Sequence, residues 1–275
     1  MTFGRFNKVL AVSALALVLV ACDSAEERAE KHFESGVSLL AEGDVDRAIV
    51  EFRNVLALNE FHRGARSAYA GAMLDRGNLS EAYSQYLRLA EENPADMESR
   101  IELARMAISV QNWEEAERHT DALRNASSDI AGFDAVDAVM RYRQAILDDE
   151  TAVAAQVAEE IRGLTETYPN DTNLLRVLIE VYSTEGDTVA LMQTIDKAIS
   201  VAPNDLQYYR MKAAALAQAE DYNGLEDHLR VMLKQFPDEE DVATSLVRLL
   251  VASGQLERAE EFLREEIAAS ENPVE

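Results

Sequence analysis

The chain has a single cysteine among its 275 residues, at position 22. One cysteine cannot form a disulfide within the chain, so a disulfide framework is excluded and stability must come from packing. Glycine and proline are also scarce, with eleven and five residues respectively. Because both residue types mark turns, their scarcity excludes collagen-like and low-complexity chains and favours helices with short connections over a β-sandwich.

Basic residues are outnumbered, with 26 lysines and arginines against 51 aspartates and glutamates, and the formal net charge is −25. Phosphate binding depends on clustered lysine and arginine side chains, so this charge argues against nucleic acid as a partner. The four histidines have no second ligand at metal-binding spacing, and no glycine-rich phosphate loop is found. We therefore expect no metal and no cofactor, and the protein is predicted not to be an enzyme.

The first residues have the organisation of an export signal. Arg5 and Lys8 precede a 13-residue apolar run, Val9–Ala21, that is too short to cross a bilayer. The run ends in Leu-Val-Ala-Cys, which resembles the bacterial lipobox. That resemblance implies cleavage before Cys22, lipidation of its sulfur and stable anchoring to a membrane. The alternative is an ordinary signal peptide followed by an incidental thiol.

Asp23 follows the position of lipidation. By resemblance to enteric lipoproteins, an aspartate there implies retention at the inner membrane. Residues 1–21 contain two basic residues and no acidic residue, so the remaining chain has a formal charge of −27. Because anionic lipid repels such a charge, we expect a body that stands off the membrane and faces the periplasm of a bacterial envelope.

A 34-residue period runs through the rest of the sequence. Ala48, Ala82 and Ala116 follow one another at this interval, and Pro169, Pro203 and Pro237 do the same. Between Ala116 and Val157 the interval is 41, so one unit is longer. Each unit has two amphipathic segments, which begin at an acid or asparagine and end at glycine or proline. The sequence therefore predicts repeated helix pairs.

Small residues at two positions of a unit and a large residue at a third resemble the pattern of the tetratricopeptide repeat (TPR) family. The second unit carries Ala70, Ala82 and Tyr86 at these positions, with Pro94 near its end. Some later units depart from the pattern, with leucine where a small residue is usual. The resemblance implies an all-α, right-handed α-solenoid of about seven helix pairs. Residues expected to pack the paired helices together are Gly36, Ala48, Ala70, Ala82, Ala104, Ala116 and Ala259.

The predicted organisation has four parts. They are a lipoprotein signal peptide at 1–21, a lipidated N-terminus and short tether at 22–28, a TPR solenoid at 29–270 and a tail at 271–275. The predicted repeat units are 29–62, 63–96, 97–130, 131–171, 172–205, 206–239 and 240–270.

The first helix of each unit lines a concave groove in TPR proteins. The resemblance places eight candidate binding residues there: Arg105, Asn173, Arg176, Glu180, Gln207, Arg210, Gln218 and Arg248. Arg176 and Arg210 are one period apart, so we expect them to be neighbours that bind a carboxylate or an acidic segment of a peptide. The alternative is that they form ion pairs with local acids such as Glu180. Trp113 is expected to pack in the core.

These features predict a membrane-anchored TPR lipoprotein that binds protein partners in an envelope assembly, secretion, pilus or exopolysaccharide system. One alternative is the recruiting arm of a larger or multi-component enzyme whose catalytic part lies outside this chain, and another is a glycan-associated envelope protein. No polar capping helix is recognised after the last unit. Apolar surface around Leu246, Leu249 and Leu250 is therefore expected to be bare and available to a homo- or hetero-oligomeric partner.

Overall fold

A computed structural model describes residues 24–126 and 130–271. The predicted signal peptide, Cys22, Asp23 and residues 272–275 lie outside the described residues. All regular secondary structure in the described ranges is helical. The helices are α1 (Ala25–Ala41), α2 (Val45–Leu58), α3 (Arg63–Asp75), α4 (Leu79–Glu92), α5 (Met97–Ser109), α6 (Trp113–Arg124), α7 (Phe133–Leu147), α8 (Thr151–Thr167), α9 (Thr172–Glu185), α10 (Thr188–Val201), α11 (Leu206–Gln218), α12 (Tyr222–Gln235), α13 (Glu240–Ala252) and α14 (Leu256–Glu271).

The described residues form two compact units, which divide after Met106 near the end of α5. In the first unit the facing sides of α1–α4 form a core around Phe52, Tyr69 and Leu89. In the second unit consecutive helices again pack on one another, and Leu246 lies in a core shared by α11–α14. Each helix thus buries its apolar face against its neighbours along the chain, as a repeat architecture requires.

One residue with a left-handed backbone turns the chain between the two helices of each pair. These seven residues are Gly43, Gly77, Gln111, Asp149, Gly186, Glu220 and Gly254. Only glycine adopts a positive φ without crowding between Cβ and the backbone, so the three other side chains are held there at a cost. All seven residues serve the same purpose, although only four of them are glycines.

The residue after the left-handed turn caps the second helix in five pairs. Its side-chain oxygen accepts a hydrogen bond from a backbone N–H three residues later, and the capping residues are Asp44, Asn78, Asn112, Asp187 and Asp221. First helices are capped in the same way by Asp96, Asp171 and Asp205, which follow the proline turns that predicted them. Glu239, after the last of these turns, makes no such bond.

The fourth pair accommodates the extra residues of the longer unit. Its helices α7 and α8 have 15 and 17 residues, whereas α3 and α4 have 13 and 14. The remaining extra residues lie in the connection between α6 and α7. The insertion therefore lengthens helices as well as a loop, and the turn at Asp149 is kept.

Helix α1 begins at Ala25, inside the segment predicted to be a tether. The hydroxyl of Ser24 accepts a hydrogen bond from the N–H of Glu27 at 3.0 Å, and the Glu27 carboxylate accepts one from the N–H of Ser24 at 2.7 Å. This reciprocal capping box stabilises the first turn, because it satisfies two backbone donors that the helix leaves unpaired. Only Asp23 and Ser24 therefore lie between Cys22 and the first helix.

The last helix corrects the expectation of a bare apolar end. Leu246 and Leu250 on α13 are fully buried, because Ala259 and Phe262 of α14 pack in the same core. The second helix of the last unit thus covers the surface that was predicted to be free.

The residues predicted to pack the paired helices are all buried, and the six alanines among them are no more than 3% exposed. The closest approach is at Gly36 in α1. A Cβ atom added there would lie 2.6 Å from Cε1 of Phe52 in α2. The phenyl ring thus occupies the space that any larger residue at position 36 would need.

We expect Gly36→Ala to lower the free energy of unfolding by about 1 to 3 kcal/mol, the usual cost of overpacking a core. Urea denaturation followed by circular dichroism measures the change. Gly163→Ala is the matched control, because a Cβ there meets no atom within 4 Å, and this exposed helical site should gain about 0.5 to 1 kcal/mol. A Gly36→Ala variant as stable as the parent would contradict the close contact.

We expect Glu220→Gly to stabilise the fold by about 1 kcal/mol, because it relieves the positive φ of 55°. The reverse change at the equivalent turn, Gly186→Ala, should destabilise by a similar amount. Open space surrounds a Cβ at residue 186, so only the backbone conformation is tested. Thermal unfolding measures both variants, and shifts of the same sign would show that the turns do not control stability in this way.

Candidate functional site

A cavity of about 160 Å³ opens on the second unit, where the end of α5, the start of α6, and helices α7 and α9 meet. Its lining combines an apolar floor with a small number of polar groups, which is the usual composition of a ligand site. The apolar and aromatic residues are Ile108, Trp113, Val139, Tyr142, Ile146, Leu147 and Val177. The polar residues are Gln111, Arg143, Asn173, Arg176 and Glu180.

Local structure places these side chains. The left-handed residue Gln111 ends α5, and Asn112 caps α6, so Trp113 stands at the first position of the next helix. On the opposite side, Asp171 accepts hydrogen bonds from the N–H groups of Asn173 and Leu174 and fixes the start of α9. The walls of the pocket are therefore helix ends and faces, which hold side chains more firmly than loops do.

Arg176 is fixed at one wall of the pocket. Its Nη1 donates a hydrogen bond to the backbone oxygen of Ser109 at 2.9 Å. This acceptor is neutral. The positive charge is therefore positioned without being neutralised by a carboxylate.

Arg143 also lines the pocket. Its guanidinium carbon is 4.3 Å from the centre of the Trp113 ring, which is a cation–π contact. In such stacking the plane of the guanidinium faces the ring, and its N–H donors point outward along that plane. The stack therefore holds the side chain still and leaves the donors directed away from the indole.

Tyr142 and Glu180 supply the remaining polar contact. Burial, followed by the charge of the nearby Glu180 carboxylate, raises the pKa of Tyr142 to about 12. Tyr142 is thus a neutral donor at physiological pH. Glu180 is the acidic residue of the lining, and it forms no ion pair with Arg143 or Arg176 within the described residues.

The comparisons with known proteins agree with the helix pairs. The family model of the tetratricopeptide repeat matches residues 39–96, which span the end of α1 and helices α2 to α4. These residues match a tetratricopeptide repeat. No curated protein sequence matches the chain.

Solved structures share the TPR fold at low sequence identity. A tetratricopeptide repeat protein from Parabacteroides merdae aligns with a TM-score of 0.54 and 15% identity, over 81% of this chain and 84% of that one. A chain of the Cut9–Hcn1 hetero-tetramer of the APC/C aligns with a TM-score of 0.60 and 14% identity, over 81% of this chain and 43% of that one. These similarities establish the fold.

Three of the eight predicted groove residues line the pocket, namely Asn173, Arg176 and Glu180. Asn173 is buried, whereas Glu180 lies exposed at the rim. All three lie on α9, the first helix of a TPR pair, which is where the resemblance placed them.

The other five predicted groove residues lie outside the pocket lining. Arg105 forms an ion pair with Glu102 at 3.4 Å. Exposed side chains without a role in the pocket are those of Gln207, Gln218 and Arg248.

The predicted site shared by Arg176 and Arg210 stays a prediction. Arg210 forms two ion pairs, with Glu239 at 3.0 Å and Asp241 at 2.9 Å, as the alternative of local ion pairing describes. Arg176 lines the pocket together with Arg143, and Arg210 lies outside its lining. The period aligned equivalent positions of two helices but could not show which acids from the next pair would reach them.

The expectation that Trp113 packs in the core is wrong. It is half-buried, lines the pocket and carries Arg143 on its ring. One sequence signal could have revealed this site. Trp113, the only tryptophan of the sequence, comes directly after the turn that follows α5, the first helix of its pair. Arg143, 30 residues later, gave no sequence signal of its own.

Two further observations bear on the function. No group of three or more histidine, cysteine or acidic side chains in the described ranges is arranged to hold a metal ion. Among the described helices, none is both long and apolar enough to cross a lipid bilayer.

Proposed function

We propose that this protein is a membrane-anchored scaffold of the bacterial envelope that faces the periplasm and binds a protein partner through the pocket on α5, α7 and α9. Tetratricopeptide repeats support a role in protein–protein interaction. The observation that carries the proposal is the pocket itself, which joins an apolar floor to two positioned arginines on helices of the TPR groove. Binding requires no chemistry, so the scaffold is proposed to be non-catalytic.

The anchor is proposed from the lipobox at Cys22. Because α1 begins at Ala25, the lipid would be attached two residues before the capped first turn. A lipid on Cys22 would thus hold the folded body close to the membrane surface. The acidic first turn, with Glu26 and Glu27, would oppose closer contact with anionic lipid. Asp23 favours the inner membrane in this proposal.

Cells grown with radioactive palmitate test the anchor. We expect the wild-type protein to be labelled and Cys22→Ala to be unlabelled, because the thiol is the only attachment point for a diacylglycerol. Asp23→Ser is the matched control, which should keep the label while moving protein from the inner-membrane to the outer-membrane fraction. Equal labelling of wild type and Cys22→Ala contradicts lipidation.

Photo-crosslinking in living cells tests the partner site. A benzoylphenylalanine replacing Ile146, which is 45% exposed at the pocket rim, is expected to give a discrete adduct with a partner protein on irradiation. The control position is Val189 on α10, which is 69% exposed and lies outside the pocket lining. The same adducts from both positions, or none from residue 146, would rule out the pocket as the binding site.

A further inference from the structure

The two pocket arginines differ from most arginines of this acidic chain because no carboxylate neutralises their charge. Most of the described arginines lie within 4.0 Å of a carboxylate. Arg162, for example, donates two bonds of 2.7 Å to Glu185, and Arg124 contacts three acids. Arg143 and Arg176 have no such partner among the described residues, although the chain has a formal charge of −25. Two cations without counter-charges therefore face one cavity.

The contacts of these arginines leave them able to bind an anion. Arg176 has five N–H donors, and one hydrogen bond, to the neutral backbone oxygen of Ser109, is formed by its Nη1. Arg143 is held by the face of Trp113, which occupies no N–H donor. A carboxylate binds guanidinium groups through paired, charge-assisted hydrogen bonds, which are shorter and stronger than bonds between neutral groups.

The apolar part of the pocket specifies a second feature of the ligand. Ile108, Val139 and Val177 form a buried floor. A cavity of about 150 Å³ accommodates a benzene ring, so the volume here is sufficient for one large apolar side chain. The acid and the apolar side chain must be close in the ligand, because both arginines line the same cavity as this floor.

The surface beyond the pocket favours a chain that passes through the site. Ile146 and Leu147 are 45% and 58% exposed at its rim, and Val110, beside the lining residue Gln111, is 58% exposed. These apolar side chains extend the surface past the arginines, so the ligand has contacts beyond its acidic residue. This continuity favours an internal segment over a chain that ends at the arginines.

We propose that the pocket recognises an internal peptide segment in which an aspartate or glutamate lies next to a bulky apolar residue. The carboxylate binds Arg143 and Arg176, and the apolar side chain enters the cavity between α7 and α9. Glu180 at the rim opposes the acidic residue and so limits the affinity. This inference rests on the proposed function, since it specifies the partner chemistry of the same site.

Selection from random peptides tests the inference with the full lipidated chain in detergent. One phage library presents twelve random residues inside a longer chain, and a second presents them at a free C-terminus. We expect the internal library to enrich an acidic residue beside leucine, isoleucine or phenylalanine. No binders, binders without the acid, or enrichment only at free C-termini would each overturn the proposal.

Variants then test the arginines with the enriched peptide as the probe. Emission from Trp113, the only tryptophan, reports binding directly at the pocket. We expect Arg143→Met and Arg176→Met each to weaken binding at least tenfold, with helical circular dichroism unchanged. Arg210→Met is the matched control and should bind as the parent does, because Arg210 lies outside the lining. Equal losses in all three variants would overturn the role of the two arginines.

A variant that is expected to bind the peptide more tightly provides a further test, because a poorly folded protein would not gain affinity. Glu180→Gln removes the opposing charge at the rim and keeps a side chain of nearly the same size and shape. Binding is expected to strengthen severalfold and to weaken with added salt. Unchanged or weaker binding by Glu180→Gln would show that the pocket does not select for acid.

The crosslink at position 146 separates failure of this inference from failure of the proposed function. An adduct that persists in the Arg143→Met/Arg176→Met double variant leaves the scaffold function intact and overturns the acidic recognition. An absent adduct in the parent protein overturns the proposed function itself. Loss of the adduct in the double variant, with retention in Arg210→Met, supports both.

Discussion

The close approach of the two helices in each pair is the constraint on which the rest of the structure depends. Gly36 meets the ring of Phe52 with no space for a Cβ, and the alanines at equivalent positions are buried against their partner helices. Because interiors are close-packed, this approach fixes how the helices of a pair meet. It also determines which faces remain for the next pair and which face is left to bind a ligand.

The pairing of arginines with carboxylates is a second regular feature of the structure. An acidic chain supplies carboxylates near most arginines, and the resulting ion pairs lie largely on exposed surfaces, where each contributes little to stability. Among the described residues, the arginines that form no ion pair with a carboxylate are Arg53, Arg66, Arg100, Arg143, Arg176 and Arg248, and two of these six line the pocket. Arg143 and Arg176 face a cavity with neutral partners, and a positioned charge beside apolar surface is a recognition element more than a stabilising one.

Much of the fold was predictable because repeats make contacts between near neighbours in sequence. The interval of 34 residues predicted the helix pairs, and the aspartates after the proline turns predicted the starts of α9 and α11. The turn at Gln111 was predicted, whereas those at Asp149 and Glu220 gave less signal, because a positive φ is held there by side chains that do not favour it. The start of α1 was missed because a capping box extends it beyond the repeat pattern.

The sequence by itself determined the all-α repeat, the small residues between paired helices and α9 as part of the candidate site, since each depends on local pattern and spacing. Only the tertiary structure decided that Arg176 and Arg143 line the same pocket and that Arg143 stacks on Trp113. It also decided that Arg210 forms ion pairs with Glu239 and Asp241. The physical reason is distance along the chain. These contacts join side chains about thirty residues apart, and their geometry follows from how successive helix pairs stack.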